Sequence, residues 1–445
     1  MTMFQLTDIG RGDGVFISTY GCQMNVNDSE RMLTLLEMMN FRSVPSPEDA
    51  SLIIINSCSI REKPVHKVHS EVGKYRKLKQ AKPDLKIGVG GCVAQQEKQK
   101  LLKDIPLLDF VFGTDAIDQL PEIVSRARLG ESVNSTRFDH QQPYHIETMV
   151  RNPGVSTFVN ITKGCDNFCT FCVVPFTRGR ERSRPLSHVL DDVKKLVDRG
   201  VREVTVLGQN VNSYESDCGA NFAKLLKSLA VETGIQRIRY TTSHPKDFDE
   251  ELMDVMREHG NKVMEYIHLP VQSGNSEVLA RMNRGYSREA YIEKVKMIFE
   301  RLPNAVLSTD IIVGFPGETE EQFQDTMSLL DEVPYESIYA FQYSPRPFTK
   351  AAKFEDQLAE PVKNERLMRL LAKHREIAFK LAEKYRGQEL DVLVEEFHED
   401  TGRLAGRSTQ NKMTHFQGPK DWVGCTKRVK IMEAFPLVLK GEVLQ

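Results

Sequence analysis

Three cysteines stand close together in residues 163–172, which read Lys-Gly-Cys-Asp-Asn-Phe-Cys-Thr-Phe-Cys. Cys165, Cys169 and Cys172 follow the pattern C-x-x-x-C-x-x-C, which brings three thiolates to one point on a short loop. Soft thiolate ligands suit a cuboidal iron–sulfur cluster, and three ligands leave one iron open to bind another molecule. A structural zinc site is the alternative. Zinc prefers four closed ligands, however, and no fourth Cys or His lies nearby in the sequence.

Three further cysteines each follow a predicted β-strand. Cys22 ends Thr-Tyr-Gly-Cys, Cys58 ends Asn-Ser-Cys, and Cys92 ends Gly-Gly-Cys. Because the ends of parallel strands meet at one edge of a sheet, where open α/β folds bind ligands, these cysteines can form a second three-thiolate site. The alternative is that each cysteine is simply buried in the core. Cys218 and Cys425 show no partner pattern, and we predict that they are spare thiols.

The elements around the N-terminal cysteines alternate between β-rich and helical segments. This pattern predicts a parallel α/β domain, flavodoxin-like or Rossmann-like, over residues 13–130. The signal Asn27-Asp28-Ser29 predicts the start of a helix over Ser29–Met39. The polar stretch Thr136–Pro153 predicts an interdomain linker. The predicted strands are Val15–Thr19, Leu52–Asn56, Ile87–Gly90 and Phe110–Gly113.

A second alternation begins at Val155 and contains six β/α units. It predicts an incomplete (β/α)6 barrel over residues 151–384, with its chemistry at the C-terminal ends of the strands. A long basic helix is predicted over Pro361–Arg386, followed by a small OB-like β-barrel over 385–445. The predicted strands are Val155–Thr162, Glu203–Gly208, Ile235–Thr241, Tyr266–His268, Val306–Val313, Ser337–Phe341, Glu389–Val394, Gly402–Ser408 and Lys427–Ala434.

The cysteine triplet, with Phe171 just before its last member, resembles the radical S-adenosylmethionine superfamily. Together with the three-cysteine domain before it and the β-barrel after it, the whole chain resembles the methylthiotransferases. The resemblance implies S-adenosyl-L-methionine and two 4Fe-4S clusters as cofactors. One cluster would be held by the central triplet and an auxiliary cluster by Cys22, Cys58 and Cys92. The resemblance also implies that the C-terminal module is a TRAM-like barrel that binds RNA.

Several stretches resemble the branch of this family that acts on isopentenyladenosine in tRNA. The threonylcarbamoyladenosine branch usually has Lys-Val where this chain has Gln23-Met24, and Val93 replaces an expected Met. The implied reaction adds a methylthio group to C2 of N6-(dimethylallyl/isopentenyl)adenosine at tRNA position 37. It would use two S-adenosylmethionine molecules, one as methyl donor and one as source of a 5′-deoxyadenosyl radical. The stretches are Tyr20–Asn25, Ser57–Lys63, Cys165–Arg184, Gly208–Tyr214 and Thr242–Pro245.

Two other functions compete with this interpretation. A non-catalytic iron–sulfur carrier or RNA-binding sensor would need closed four-cysteine clusters, which this chain does not supply. The nearer rival is the same chemistry on an aspartate of a ribosomal protein.

Five residues are expected to contact the cofactor. The resemblance puts Phe171 near the adenine of S-adenosylmethionine. Gln209, Ser243, Gln272 and Asp310 lie at predicted ends of barrel strands, where polar groups would face a ligand. For each of these four, a structural hydrogen bond or a helix cap is the alternative.

Four arginines alternate just after the cysteine triplet, at Arg178, Arg180, Arg182 and Arg184. We predict that they bind RNA phosphates near the active site, and that the basic helix extends this charged track. The alternative is a solvated charge run whose members pair with acids.

The overall composition limits the partners. The net charge of −2 gives no global basic field, so any RNA site must be a local patch. No apolar run of ~18 residues and no secretory signal is found, so we expect a cytoplasmic monomer without a membrane partner. In that setting clustered cysteines favour metal over disulfides. The implied partners are the anticodon stem-loop of a tRNA carrying isopentenyladenosine and an electron donor such as flavodoxin or ferredoxin.

Overall fold

The computed structural model of the protein describes residues 9–59, 64–138, 148, 150–151 and 153–444. Three parts follow one another along the chain: an N-terminal α/β domain, a central barrel and a C-terminal β-barrel. This confirms the predicted mixed α/β fold class. Most of the predicted linker, and the second half of the motif at 57–63, lie outside the described residues. In the part of the chain described, no helix is both long and apolar enough to cross a bilayer.

The N-terminal domain is a six-stranded parallel sheet with the strand order β2-β1-β3-β4-β5-β6. Its central strand reads Leu-Ile-Ile-Ile and is buried on both faces, as a parallel strand covered by helices should be. The strands are β1 (Gly14–Tyr20), β2 (Arg42–Ser43), β3 (Leu52–Ser57), β4 (Lys86–Gly91), β5 (Phe110–Phe112) and β6 (Val133–Ser135). The helices are α1 (Gln23–Met38), α2 (Pro64–Lys74), α3 (Arg76–Ala81), α4 (Cys92–Glu97), α5 (Gln99–Asp104) and α6 (Leu120–Arg128).

The predicted start of the first helix is wrong, because α1 begins at Gln23, directly after Cys22. Asn27, Asp28 and Ser29 were expected to cap the helix. They lie inside it instead, buried, where their side chains contact other elements. These three polar residues, which resemble an N-cap signal, therefore make tertiary contacts instead of capping the helix.

The described residues of the central part form eight strands, of which six make two parallel sheets, β11-β10-β7 and β12-β13-β14. The other two strands, β8 and β9, form a separate antiparallel pair. A single parallel bridge between Ile238 and Val263 joins the two sheets, and no pairing of β7 with β14 closes the barrel within the described residues. The strands are β7 (Ser156–Asn160), β8 (Thr162–Lys163), β9 (Arg182–Ser183), β10 (Glu203–Leu207), β11 (Arg237–Tyr240), β12 (Tyr266–His268), β13 (Val306–Val313) and β14 (Tyr335–Gln342). The helices are α7 (Val174–Thr177), α8 (Leu186–Asp198), α9 (Phe222–Glu232), α10 (Glu250–Glu258), α11 (Ser276–Arg281), α12 (Arg288–Arg301), α13 (Glu320–Glu332) and α14 (Glu360–Glu383).

The C-terminal part is a closed five-stranded barrel with the order β15-β16-β17-β19-β18. Its core is a small apolar cluster that includes Val392, Leu404, Val429 and Ile431. The strands are β15 (Glu389–His398), β16 (Arg403–Ser408), β17 (Met413–Gln417), β18 (Thr426–Ala434) and β19 (Val438–Val443).

This C-terminal barrel packs against the end of the central barrel where its strands begin. Arg237, the first residue of β11, donates to the Arg407 carbonyl oxygen at 2.7 Å. Arg239 donates to the Ser408 carbonyl oxygen at 2.6 Å and lies 2.9 Å from Glu203, the first residue of β10. The C-terminal barrel therefore leaves the opposite end of the central barrel, where its strands end, uncovered.

Candidate active site

Cys22, Cys58 and Cys92, hereafter the N-terminal cysteine site, come together at one edge of the sheet. β1, β3 and β4 are neighbours, and their register aligns Tyr20 with Ser57 and Ser57 with Gly91. Each cysteine follows its strand within two residues, so the three thiols meet. The backbone amide of Cys58 also donates to the Tyr20 carbonyl oxygen at 3.0 Å.

Two glycines make this convergence possible. Gly21 has φ +147°, and a Cβ there would lie 2.6 Å from the Cβ of Cys58. Gly91 has φ +88°, and its Cβ would lie 2.5 Å from Asn56 Oδ1. Any larger residue would push the cysteine loops apart, so glycine is required for close approach.

An amide network, which sequence reasoning missed, supports the same site. Asn25 Nδ2 donates to Asn56 Oδ1 at 3.1 Å, and Asn56 Nδ2 donates to Ser29 Oγ at 2.9 Å. Cys22 Sγ lies 3.5 Å from Asn25 Oδ1. An asparagine after four apolar residues of β3 is the sequence signal that could have revealed this network.

The electrostatics of the N-terminal cysteine site favour thiolates. Contact with the Cys58 thiol, and then the positive charge of Arg178, lowers the pKa of Cys22 and of Cys92 to about 6 although burial opposes the shift. The same contacts, together with burial, raise the pKa of Cys58. The site is thus prepared for soft, positively charged metal.

The second set of thiols lies on the loop Gly164–Cys172, hereafter the cysteine loop, between β8 and α7. Gly164 has φ +80°, and a Cβ there would lie 2.0 Å from the Arg180 carbonyl oxygen. Asn283 Nδ2 donates to the carbonyl oxygens of Asn167 and Phe168 at 3.1 and 3.2 Å. The Thr170 amide donates to Met282 at 3.0 Å. The loop is therefore held from several sides.

The thiols of the cysteine loop lie in a less polar environment. Burial raises the pKa of Cys165 to about 11 and that of Cys172 to about 12. One buried cation, Arg284, lies against this loop, with Nη1 3.3 Å from Cys169 Sγ. Arg284 also donates to the Pro270 carbonyl oxygen at 2.9 Å, so its position is fixed. Sequence reasoning missed Arg284.

Neither thiol set has the shape of a site for one ion. Across the described residues, no three His, Cys, Asp or Glu side chains converge closely enough to bind a single metal ion. In an iron–sulfur cluster each thiolate binds a different iron, so the thiols need not share one point. The donor chemistry, three cysteines without a fourth ligand, fits a cluster with one open iron.

The residues expected to contact the cofactor surround the cysteine loop at the strand ends. Phe171 packs in an apolar cluster with Phe315. Gln209 accepts a hydrogen bond from the Gly164 amide, which orients the loop. Ser243 Oγ is buried and has no hydrogen-bond partner within the described part of the chain. An unpaired buried hydroxyl fits a site that is completed by a polar ligand.

Gln272 follows the end of β12 by four residues, whereas Asp310, expected at a strand end, lies inside β13, three residues before its end. Gln272 has φ +74°, and its amide donates to the Asp310 carbonyl oxygen at 2.9 Å. Asp310 Oδ1 lies 3.5 Å from His268 Nε2. The structure brings all five residues to the barrel end that carries the cysteine loop, and their cofactor contacts stay a prediction.

The four arginines do not share one environment. Arg178 and Arg184 are 4% and 1% exposed, and they lie 2.8 Å from Asp28 and 2.6 Å from Asp192. Buried guanidinium groups cannot reach RNA phosphates, so the phosphate-binding prediction is wrong for these two. The partner of Arg178 lies in α1 of the N-terminal domain, and the partner of Arg184 lies in the adjacent helix α8.

Arg180 and Arg182 lie nearer the surface. The Arg180 side chain is largely exposed and binds both oxygens of Asp166, at 2.6 and 3.0 Å. Arg182 lies 2.7 Å from Asp115 and is mostly buried. For these two, RNA contact stays a prediction.

The basic helix α14 likewise supplies less free charge than predicted. Lys363 and Arg366 are buried, and Arg366 donates to Glu318 at 2.8 Å. Lys373 pairs with Asp331 at 2.6 Å. These residues of the helix therefore do not form a continuous track of free cations.

Cys218 and Cys425, the predicted spare thiols, are exposed.

Exposed aromatic rings surround the cysteine loop, a feature that sequence reasoning missed. Phe168, Phe176 and Phe348 are 42%, 41% and 58% exposed. The rings of Phe176 and Phe348 pack with centroids 5.8 Å apart, and the Arg180 guanidinium lies 5.4 Å from the Phe168 ring. Rings and guanidinium planes of this kind stack on unpaired bases.

A polar cleft of about 360 Å³ opens beside the same loop, lined by Asp166, Glu181, Asn210, Lys246 and others. Burial raises the pKa of Glu181 to about 7. Sequence reasoning considered only the arginines on either side of Glu181 and missed this carboxyl group.

The two thiol sets lie at the same end of the central barrel, because polar contacts join the two domains there. Asp28 of α1 contacts Arg178, and Asn160 of β7 donates to Asn27. Lys163 donates to the Thr114 carbonyl oxygen at 2.8 Å. The N-terminal cysteine site therefore faces the region of the cysteine loop.

Three family models match successive parts of the chain. The radical SAM superfamily matches residues 159–330, the uncharacterized protein family UPF0004 matches residues 14–113, and the TRAM domain matches residues 383–444.

Among known proteins, the chain is 64% identical over 439 residues to a tRNA-2-methylthio-N(6)-dimethylallyladenosine synthase of Bdellovibrio bacteriovorus, covering 98% of this chain and 97% of that protein. It is 44% identical to the protein of the same name from Bacillus subtilis, with 99% and 87% covered. The Aquifex aeolicus protein of that name is 42% identical, with 97% and 98% covered.

Solved structures share the fold at low identity. The radical S-adenosylmethionine methyltransferase TsrM from Kitasatospora setae aligns with a TM-score of 0.58 and 14% identity, covering 77% of each chain. The cobalamin-dependent S-adenosylmethionine radical enzyme OxsB aligns with a TM-score of 0.53 and 11% identity, covering 82% of this chain and 56% of its own.

Proposed function

The chain belongs to the tRNA-2-methylthio-N6-dimethylallyladenosine synthases, which are radical S-adenosylmethionine tRNA methylthiotransferases, and we propose that it adds a methylthio group to C2 of N6-(isopentenyl)adenosine at tRNA position 37. An aromatic C–H has no acidic proton, so polar acid–base catalysis alone would be ill suited to this reaction. A cofactor must supply the difficult chemistry, and the protein positions it against the base.

The proposal assigns one cluster to each thiol set. Cys165, Cys169 and Cys172 would hold the 4Fe-4S cluster that binds S-adenosylmethionine, and the N-terminal cysteine site would hold the auxiliary 4Fe-4S cluster. When bound, these groups and two S-adenosylmethionine molecules supply a methyl group, a sulfur atom and a 5′-deoxyadenosyl radical that removes the C2 hydrogen. The corresponding domains are 13–130, 151–384 and 385–445.

One observation carries the proposal: two separate three-thiol sets lie at the same open barrel end. The contacts Asp28–Arg178 and Asn27–Asn160 hold the two domains together at this end. A carrier that only moves electrons has no use for two sets that each leave one iron open. Ser243 and Gln209 would help to bind S-adenosylmethionine and to orient the loop that holds its cluster.

The exposed rings support an RNA substrate that enters at the cysteine loop. Unpaired bases of the anticodon loop would stack on Phe176 and Phe348, while Arg180 and Arg182 contact phosphates. The C-terminal barrel would bind another part of the tRNA. Replacing Phe176 and Phe348 by Ala should weaken binding of an anticodon stem-loop by ~1–3 kcal/mol, measured by fluorescence anisotropy.

The enzyme is proposed to act as a monomer with a flavodoxin or ferredoxin as electron donor.

The cluster assignment is tested by iron analysis. Protein reconstituted without oxygen should hold close to eight irons, because each thiol set suits a four-iron cluster. Replacing Cys165, Cys169 and Cys172 by Ala should remove about half of them. Iron at the wild-type level in this variant would refute the assignment.

The substrate is tested by mass spectrometry of tRNA nucleosides from a strain that lacks this gene. The methylthio group should be absent from isopentenyladenosine and should return when the gene is restored. Unchanged tRNA together with loss of a methylthio group from a ribosomal protein would instead support the rival substrate.

A further inference from the structure

Arg178 is a cation buried beside the N-terminal cysteine site. It is 4% exposed, and it follows α7, six residues after Cys172 in the sequence. Its Nη1 lies 2.8 Å from Asp28 Oδ2, across the boundary between the two domains. One end of the guanidinium is thus fixed by a carboxylate of the N-terminal domain.

The other end of the guanidinium faces the N-terminal cysteine site and interacts with the sulfur of Cys92. Arg178 Nη2 is buried, and within the described residues it donates to no nitrogen or oxygen acceptor. Burial lowers the pKa of Arg178, but the charge of Asp28 and then the sulfurs of Cys92 and Cys22 raise it overall. A buried donor without a nitrogen or oxygen acceptor requires an explanation, and a ligand held beside these sulfurs is one.

Arg284, the other buried arginine near a thiol set, provides a comparison within the same molecule. Its Nε donates to Tyr286 Oη at 2.9 Å, its Nη1 contacts Cys169 Sγ at 3.3 Å, and its Nη2 donates to the Pro270 carbonyl oxygen at 2.9 Å. All three nitrogens of Arg284 are used by the protein. Arg178 differs because its Nη2 donates to no nitrogen or oxygen acceptor within the described residues.

We propose that Arg178 forms an anion subsite at the N-terminal cysteine site, in which Asp28 fixes the guanidinium and Nη2 donates to the anionic sulfur that this site carries for transfer. The inference rests on the proposed function, because it assumes that the N-terminal cysteines hold a cluster with one open iron. The ligand class is a small anion of divalent sulfur, such as hydrosulfide or a methanethiolate. A charge-assisted hydrogen bond from a fixed guanidinium would orient that sulfur.

The experiment measures binding of hydrosulfide to the full-length reconstituted protein. Sodium sulfide is titrated into wild type, Arg178→Lys and Arg178→Met, and the electron paramagnetic resonance signal of the auxiliary cluster is followed. Arg178→Met should weaken hydrosulfide binding by about tenfold or more, and Arg178→Lys should restore part of it by supplying charge without the planar fork. Arg257→Met, which alters an exposed arginine of α10 paired with Asp254, is the matched control and should bind like wild type.

A second variant separates binding from folding. Arg178→Met leaves Asp28 buried without its cation, so the double variant Arg178→Met/Asp28→Asn removes both charges together. This double variant should keep close to eight irons and still bind hydrosulfide weakly. Wild-type affinity in it would overturn the anion subsite. Loss of the four auxiliary irons in every Arg178 variant would also overturn it, because Arg178 would then support the cysteines rather than the sulfur.

The outcome for wild-type protein distinguishes the two proposals. If the wild type holds only four irons, the proposed auxiliary cluster is wrong, and the subsite falls with it. If the wild type holds eight irons and binds hydrosulfide as tightly as the methionine variant, only the subsite is wrong.

Discussion

The N-terminal cysteine site takes its thiols from the ends of three strands, whereas the cysteine loop carries three thiols within residues 165–172. The first site depends on the sheet, on the narrow space beside Gly21 and on an amide network around Asn56. The second depends on backbone hydrogen bonds to a single loop. The whole sheet positions the thiols of the first site, whereas hydrogen bonds to a single loop position the thiols of the second.

The electrostatics of the two sites differ in the same sense. Cys22 and Cys92 have pKa values lowered to about 6, first by the Cys58 thiol and then by Arg178, while burial raises those of Cys165 and Cys172 to about 11 and 12. Two thiols of the N-terminal site therefore favour the thiolate form even before metal arrives. Cys165 and Cys172 release their protons only when metal binds.

Removing the N-terminal thiols would test the division of roles most severely. Replacing Cys22, Cys58 and Cys92 by Ala should abolish methylthiolation but leave reductive cleavage of S-adenosylmethionine, because the cysteine loop is untouched. Nucleoside mass spectrometry and chromatography of 5′-deoxyadenosine measure the two activities. Cys218→Ala and Cys425→Ala, at exposed thiols, should change neither. Cleavage that vanishes in a folded triple variant would break the division.

Arg284 should matter to the cysteine loop alone. Arg284→Met removes the contact with Cys169 and the hydrogen bond to Pro270, so cleavage of S-adenosylmethionine should fall by about 10–100-fold. Iron at the N-terminal site should stay at the wild-type level. The exposed Arg281, which pairs with Asp356 at 2.7 Å, gives the matched control Arg281→Met. Normal cleavage in Arg284→Met would show that the loop does not need this cation.

The surface arginines should have a smaller effect, confined to RNA. Replacing Arg180 and Arg182 by Ala should weaken anticodon stem-loop binding by about 1 kcal/mol and flatten its salt dependence. The effect is modest because each guanidinium already pairs with a carboxylate. Arg257→Ala, in α10, changes an exposed arginine that pairs with a nearby acid and should have no effect. If the double variant and the wild type bind the stem-loop equally at moderate salt, these arginines form only structural ion pairs.

In the metal-free protein, the thiols of the two sites should differ in reactivity. A pKa of about 6 means that Cys22 becomes a thiolate as the pH rises through 6, whereas Cys165, with a pKa of about 11, stays protonated at neutral pH. Iodoacetamide should therefore alkylate Cys22 at pH 7.5 and spare Cys165. Peptide mass spectrometry across pH 5–10 measures both. Similar pH profiles for the two thiols would remove the electrostatic contrast.

The sequence contained enough information to predict the three-part fold and the strands that precede Cys22, Cys58 and Cys92. Buried parallel strands such as Leu52–Ser57 are recognisable because they are continuously apolar. Two- and three-residue edge strands such as β2 and β6, and the polar β17, lack such a run and were not predicted. Sequence periodicity carries little information over so few residues.

The arginine segment exposes the limit of local sequence reasoning. Arg178 and Arg184 resemble Arg180 in composition and spacing, yet their partners Asp28 and Asp192 bury them. Asp28 is also the residue that resembled a helix cap. The Arg178–Asp28 pair depends on how two domains dock, and the Arg184–Asp192 pair depends on how α8 packs, neither of which one sequence without its fold reveals.

Arg178 belongs to the central barrel but pairs with Asp28 of the N-terminal domain, so the N-terminal cysteine site is completed late in synthesis. Chain synthesis at ordinary speed delivers Arg178 about 90 residues after Cys92, so for several seconds the N-terminal domain exists without its cation. Asp28 stays unpaired until then. The N-terminal cysteine site is therefore incomplete when these cysteines leave the ribosome. Metal that binds at that stage encounters a site without Arg178. Docking of the central barrel onto the N-terminal domain supplies Arg178 and completes the site.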